Sequence, residues 1–524
     1  MIKQRCTRTG RNCDGYILQL RPLNVLIEPS PTTSTTSSAE QRALEFFYHN
    51  TSPHLINYFN RSFWKGSVLQ FSLTEPLIRH AIAAVGALHE GLRTANHDEA
   101  MSIALGLYNQ AIHLAVRRPS TDASGSLPVL IIASIVFTCF EFLREDTDAA
   151  LTHIKSGMNL LKAARDTAEG PLRPWGHNYH SFEKFYLEAE LAPILNALYL
   201  TALNHDRSQA NISMLLNPLD KDGIIDFGDS FDTVHQARAG LMDLLCTSLD
   251  LARLADKRRM HPEKLSQRFY QFRKSHERWK VLFEDMIARR SESWTTEERK
   301  TTDHVQIMWY GLKSGFSAYF ASNETAWDSH KADFEEIIKL ADSLISDSQQ
   351  STVHGQRDLS SEVGFLASVH TVAWKCRWPF LRRQALNILL RARRSLCNAD
   401  SRVHHAIYTR VMEIEEAALG LPPELMASED LLPPEHARIH QYHGALCTSG
   451  VGDSYEITFL TKPNGPDGDW HYQTEIIDLA TTFEDTEPFS PSPLPPPQPR
   501  NTQSNDTTGR ILNILNSAAA RSLP

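Results

Sequence analysis

The sequence predicts a mainly α fold: a large helical body with a small β-hairpin and an unstructured tail after it, and a short basic head before it. Three observations carry this. Apolar residues recur at steps of three and four from about Ala39 to Leu419, the period of an amphipathic helix. Pro128, Pro174, Pro262 and Pro379 fall near the starts of such stretches, where a missing N–H costs little. After Leu421 the pattern changes to alternation broken by turn residues.

Taken in order, residues 1–21 form a head with Lys3, Arg5, Arg8, Arg11 and Arg21 against the single acid Asp14. Residues 22–38 are a linker, and its stretch EPSPTTSTTSS (28–38) has nothing with which to build a core. The helical domain spans 39–480. Within it, residues 75–92 put Leu77, Ile78, Ala81, Ile82, Val85, Leu88 and Leu92 on one stripe, and 147–163 do the same with Leu151, Ile154, Met158 and Leu161. Further helices are expected at about 97–118, 125–145, 178–205, 234–257, 262–291, 297–322, 330–347, 362–377, 379–396 and 399–418. Two strands, 454–461 and 470–477, flank the turn-rich KPNGPDGD. From 481 to 524 the chain is acidic and then Pro-rich, expected to lack order, with a brief helix at 509–519.

Composition narrows the function. The net charge is -9, so any contact with nucleic acid must be local to the basic head. Seven cysteines in 524 residues suggest no disulfide framework and a reducing compartment. Cys139, Cys246, Cys376, Cys397 and Cys447 lie far apart and read as small buried hydrophobes. The apolar run Leu127–Phe140 is shorter than the roughly 18–20 residues a bilayer demands. A soluble, intracellular protein without a membrane partner is expected.

The head holds the motif that decides the reading, Cys6-Thr-Arg-Thr-Gly-Arg-Asn-Cys13-Asp-Gly-Tyr16. Two thiolates separated in this way can reach one zinc ion if the chain turns, and Gly10 could supply the turn; zinc nevertheless needs four ligands. CTRTGRNCDGY resembles the end of a fungal Zn2Cys6 binuclear cluster. The resemblance implies zinc as cofactor, with Cys6 and Cys13 as the fifth and sixth ligands. It also implies a DNA-contacting module in which Lys3, Arg5, Arg8 and Arg11 meet phosphates, contacts that position and do not specify. The sequence departs from that pattern: Lys3 stands where the fourth cysteine belongs, and four of six ligands are missing. Either the sequence begins inside the module, or the chain has lost DNA binding; the preserved basic motif favours the first.

The body is similar to the regulatory domain of the same family. The segments at 46–90, 129–161 and 378–395 resemble its opening helices, the next pair and a late Arg-rich helix. The implied function is sequence-specific RNA polymerase II transcription regulation in the nucleus. Implied partners are DNA, coactivators met by the acidic, Phe-containing stretch near 475–490, a small-molecule effector, and a homo- or heterodimer partner. The alternative is a helical interaction protein that has lost DNA binding and acts through partners.

Several residue groups have competing readings. Trp64, Phe63 and Phe71 are expected as core anchors, and His80 and His89 as satisfied structural histidines. Arg377, Arg382, Arg383, Arg391, Arg393 and Arg394 are expected on a solvated face, paired with Glu413, Glu415 and Glu416. A nucleic-acid patch there is the weaker reading. His436, His440 and His443, beside Glu435, have a spacing that could seat a metal, but match no catalytic motif. Asp226, Asp229 and Asp232 read as a solvated turn. No G-x-S-x-G elbow, H-E-x-x-H pair or Walker loop is present in the sequence, so no enzyme is expected.

Overall fold

The computed structural model describes residues 37–55, 63–93, 97–118, 123–144, 146–166, 186–205, 215–256, 261–319, 321, 323–351, 363–391, 401–420, 431–446, 454–465 and 467–478. Its contacts divide the chain into two units, Met1–Ala133 and Ser134–Pro524. The fold is mainly α, as expected.

In the first unit α1 (Ser38–Phe46) starts one residue after Ser37, whose side chain accepts the Glu40 N–H at 3.1 Å. This is an N-cap, which satisfies one of the orphan donors of the first turn. The helix widens into a π turn at Phe47–Thr51, and a second π turn at Phe63–Ser67 leads into α2 (Val68–Thr74). Helix α3 (Pro76–Arg93) has the apolar stripe read from the sequence, and α4 (His97–Val116) packs along it. Phe47, Phe63 and Trp64 are buried as anchors, whereas Phe71 is half-covered. Both histidines are structural: His89 Nδ1 lies 3.0 Å from Thr51 Oγ1, and His80 Nδ1 lies 2.9 Å from Glu40. Gly86 lets α1 and α3 approach, since a Cβ there would lie 2.2 Å from the Ala43 carbonyl oxygen.

Helix α5 (Ala123–Leu143) contains the division between the units. Pro128 sits inside it and not at its first position. No helix among the described residues is long and apolar enough to cross a membrane.

The second unit continues with α6 (Thr147–Asp166) and, after a π turn at Tyr186–Leu191, α7 (Ala192–His205). Helices α8 (Val234–Asp256), α9 (Pro262–Arg290) and α10 (Thr296–Tyr319) pack together. Pro262 is the first residue of α9, where it was expected. Trp279 is fully buried in this group and donates Nε1–H to the Ala237 carbonyl at 2.7 Å, the partner a buried indole demands. The acidic loop before α8 is a turn held from outside. Asp226 accepts the Gly228 N–H at 2.9 Å, and Arg278, Arg289 and Arg290 of α9 donate to the carbonyls of Gly228, Phe231 and Asp232.

A 3-10 turn, Glu324–His330, opens α11 (Lys331–Ser351). Helices α12 (Val363–Lys375), α13 (Pro379–Arg391) and α14 (Ser401–Ala417) complete the bundle. They share one core with the C-terminal sheet through Phe365, Val369, Leu389, Val411, Ile439, Ile457 and Phe459.

That sheet contains the expected hairpin and adds a strand before it. It has three antiparallel strands in the order β1 (Ile439–Leu446), β2 (Ser454–Thr461), β3 (His471–Asp478). Ile457 and Phe459 point into the core two residues apart, with Glu456 exposed beside them, the period a half-buried strand requires. Thr458 faces Thr474 with the hydroxyls 2.9 Å apart.

The head, most of the linker and the tail after residue 478 lie outside the described residues, and with them Cys6, Cys13, Lys3, Arg5, Arg8 and Arg11. Pro174, Arg393, Arg394, Cys397, Cys447 and the helix expected at 509–519 also lie outside. Cys139, Cys246 and Cys376 are buried thiols with no disulfide.

Candidate functional site

The described residues gather their largest buried group of charges where α12, α13, α14, the 3-10 turn and β1 meet. It grows from a local need. The last carbonyls of a helix have no partner within it. At the end of α12 two buried arginines supply partners: Arg382 donates to the carbonyls of Ala373 and Trp374 at 3.1 and 3.0 Å, and Arg377 to that of Lys375 at 2.7 Å. Guanidinium also complements the negative end of the helix dipole.

Both arginines are 1% exposed, so their charge must be met. Glu415 of α14 meets it, with Arg377 at 2.9 Å and Arg382 at 2.7 Å, and accepts the Ile439 N–H at 2.8 Å. Burial alone would raise the Glu415 pKa, but the two guanidinium charges and that N–H hold it at about 2. Glu324 bridges Arg377 at 2.9 Å and Lys375 at 2.8 Å. Burial pulls the Lys375 pKa down to about 8 against the opposing pull of Glu324. Lys375 also donates to the His440 carbonyl at 2.8 Å.

A second tier continues along the chain before β1. Glu435 accepts the N–H groups of Glu324 and Thr325 at 2.9 and 2.8 Å, so it caps the 3-10 turn. Arg438 makes a two-pronged pair with Asp328, 2.7 Å at each prong, and donates to the Pro433 and Glu324 carbonyls. Lys375, Arg377, Arg382 and Arg438 therefore face Glu324, Asp328, Glu415 and Glu435, and the junction is balanced in charge.

The junction revises two sequence readings. Glu415 and Glu416 were anticipated as partners of the arginines, and Arg383 does pair with Glu416 at 2.6 Å. The face is not solvated at Arg377 and Arg382, however, and they are closed to nucleic acid. Glu413 pairs instead with Arg410, and Arg391 with Asp342. The histidine spacing forms no metal cluster: no group of three or more metal-binding side chains gathers among the described residues. His443 faces Thr458 in the ladder with β2, whereas His440 falls at the register shift between Ile439 and Gln441. Burial lowers the His440 pKa, against the opposing pull of Glu324 and Glu435.

A further anchor went unseen in the sequence. Asp243 of α8 is buried and accepts the N–H groups of Leu216 and Asn217 at 2.6 and 2.8 Å and the Asn217 side-chain amide at 2.9 Å. Arg165 reaches the neighbouring Leu215 carbonyl and pairs with Glu188. Together they pin residues 215–217 to α6 and α8. Neither this anchor nor the junction has the open reacting position of an active site; each ties loop or sheet to helix.

A model of the fungal specific transcription factor domain matches residues 42–310, more than half of the 524 residues. The aspercryptin biosynthesis cluster-specific transcription regulator atnN of Emericella nidulans is 24% identical over 383 residues, 65% of this chain and 60% of that protein. The transcription regulator lscL of Purpureocillium lilacinum is 25% identical over 190 residues, 31% of this chain and 45% of that protein. The chain thus spans 60% and 45% of the length of these two curated relatives. No solved structure matches. With its match running from α1 into α10, the chain belongs to the family of the fungal specific transcription factor domain.

Proposed function

We propose that this chain is a transcription regulator of the fungal zinc-cluster type, with the helical body as its regulatory part. The observation that carries the reading is the family match over 42–310. The relatives, both named as transcription regulators and not as enzymes, support it. The further elements rest on the head: Cys6 and Cys13 as zinc ligands, Lys3, Arg5, Arg8 and Arg11 as phosphate contacts, and sequence-specific control of RNA polymerase II genes in the nucleus.

The donor set present is two thiolates. It fits two positions of a six-thiolate site but cannot hold two zinc ions. A complete module needs four more thiolates, and when bound the metal would fold it. Coactivators, a small-molecule effector and a dimer partner are the partners this reading expects. A proposed layout of head (1–21), linker (22–38), body (39–480) and tail (481–524) goes with it.

Lys3, which stands where the resemblance puts the fourth cysteine, favours one second reading: a helical protein that acts through partners without touching DNA. Chromatin immunoprecipitation of the protein expressed from its native locus separates the two. Discrete promoter peaks that vanish with Cys6→Ala support the zinc-cluster reading. Peaks that persist in that variant, or no peaks at all, would sink the ligand assignment. The regulatory role itself is tested by fusing the whole chain to a foreign DNA-binding domain above a reporter. Several-fold activation or repression is expected, and output equal to that of the DNA-binding domain alone would refute it.

A further inference from the structure

Helices α10 and α11 bring together a serine, a histidine and an aspartate that no part of the regulatory reading uses. His330 ends the 3-10 turn, Asp333 sits in the first turn of α11, and Ser317 lies near the end of α10. His330 Nδ1 is 2.9 Å from Asp333 Oδ2, and its Nε2 is 3.1 Å from Ser317 Oγ. Asp333 is 5% exposed and His330 8%, whereas Ser317 is open to solvent. The acid is buried, the imidazole covered and the hydroxyl presented outward.

Hydrogen-bond logic fixes the protons. Lys313 holds Asp333 from its other oxygen at 2.6 Å. Burial would raise the Asp333 pKa, but the bonds from His330 and Lys313 lower it, so the carboxylate is ionised and can only accept. His330 Nδ1 must then carry its proton toward Asp333. In the neutral ring Nε2 is left as an acceptor, and Ser317 is the donor to it. That is the direction a general base needs. Other helix hydroxyls here behave differently: Ser156, Thr201, Thr301, Ser314 and Thr371 each turn back to the carbonyl four residues earlier. Ser317 is turned to the imidazole instead. Lys313, one helical turn before Ser317, is taken up by Asp333 and helps to keep that carboxylate ionised behind the imidazole.

We propose that Ser317 is an activated nucleophile that takes acyl groups from carboxylic esters, with His330 as its base and Asp333 as the residue that positions His330. Ser317 Oγ forms a bond to the acyl carbon while its proton passes to His330 Nε2. The ester C–O bond then breaks, and the leaving alkoxide takes that proton to depart as an alcohol. Water repeats the sequence on the acyl-serine, releases the carboxylic acid and restores the hydroxyl. No oxidant or metal is consumed. The proposal is independent of the regulatory reading and stands or falls without it.

The test uses the purified full chain and a fluorophosphonate probe, which forms a P–O bond to an activated serine and releases fluoride and the serine proton. Mass spectrometry should find the adduct on Ser317, and Ser317→Ala, an exposed position that leaves the fold alone, should abolish it. His330→Gln and Asp333→Asn, each checked for native circular dichroism, should slow labelling about 100-fold or more, the scale of general-base assistance. Absence of an adduct on Ser317 would overturn the proposal. So would labelling of folded His330→Gln at the wild-type rate. Labelling of Asp333→Asn at that rate would remove Asp333 from it.

Discussion

Glu415→Gln is the sharpest test of the buried junction. The substitution keeps the shape of the side chain and an acceptor for Ile439, but removes the charge that Arg377 and Arg382 share. Glu415 is fully buried and its pKa lies at about 2 against an ordinary 4.5. That shift corresponds to roughly 3 kcal/mol of folding free energy at neutral pH. Breaking one member of a buried ion network costs about 3–5 kcal/mol, so two routes agree. The pH dependence has a definite sign. Because the folded pKa is depressed, the contribution is fully present above about pH 4.5 and fades as pH falls toward about 2. Urea unfolding followed by tryptophan fluorescence at pH 7 and at pH 3 checks both. Wild type should lose stability between these pH values faster than Glu415→Gln does. A loss under about 1 kcal/mol at pH 7, or parallel acid profiles, would show that the junction is hydrated and the argument mistaken.

Other outcomes follow from single contacts. Gly86→Ala should destabilise the chain by about 1–3 kcal/mol, seen as a lower Tm, because its Cβ would lie 2.2 Å from the Ala43 oxygen. Asp243→Ala should cost about 2–5 kcal/mol through two abandoned backbone N–H groups, and limited proteolysis should then cut near residues 215–217, which it now holds. Trp279→Phe should cost about 1–3 kcal/mol by removing a buried hydrogen bond and part of the packed indole, as read from chemical denaturation. Glu475→Gln should cost about 1–3 kcal/mol in the same assay, since it weakens a two-pronged pair with Arg410 in which the side chains are only 10% and 22% exposed.

The helical body was legible because periodicity reports burial directly. Pro262 and Pro379 mark the first residues of α9 and α13, and α3 keeps its expected stripe. Strands β2 and β3 were legible for the same reason: apolar residues alternate on either side of a turn-rich loop. Strand β1 was not. IHQYHGAL has no clear alternation, and no strand was expected there. Its place is set by β2 pairing on one side and by Glu415 and Lys375 gripping its backbone on the other, and neither is local. Arginine is rarely buried, so Arg377 and Arg382 looked solvated; the helix end they cap is visible only in three dimensions. Ser317, His330 and Asp333 straddle a helix break at no recognisable spacing. The head residues that resemble zinc ligands lie outside the described residues.

The second tier of the junction also has a bearing on how the chain is made. Arg438 meets Asp328, and Glu435 meets Thr325, across 110 residues. Glu415 finds the Ile439 N–H only after a further 24 residues. A growing chain therefore carries α12 and its two arginines out of the ribosome well before the strand that seals them can form. Until that strand arrives, buried charge in the bundle stays open to water. Sealing is a late, long-range closure, which loop entropy makes slow. A premature stop between residues 420 and 438 would leave α1 to α14 written but their charge junction unsealed. Such a product should be recognised as incomplete by proteases, although it retains most of its apolar core.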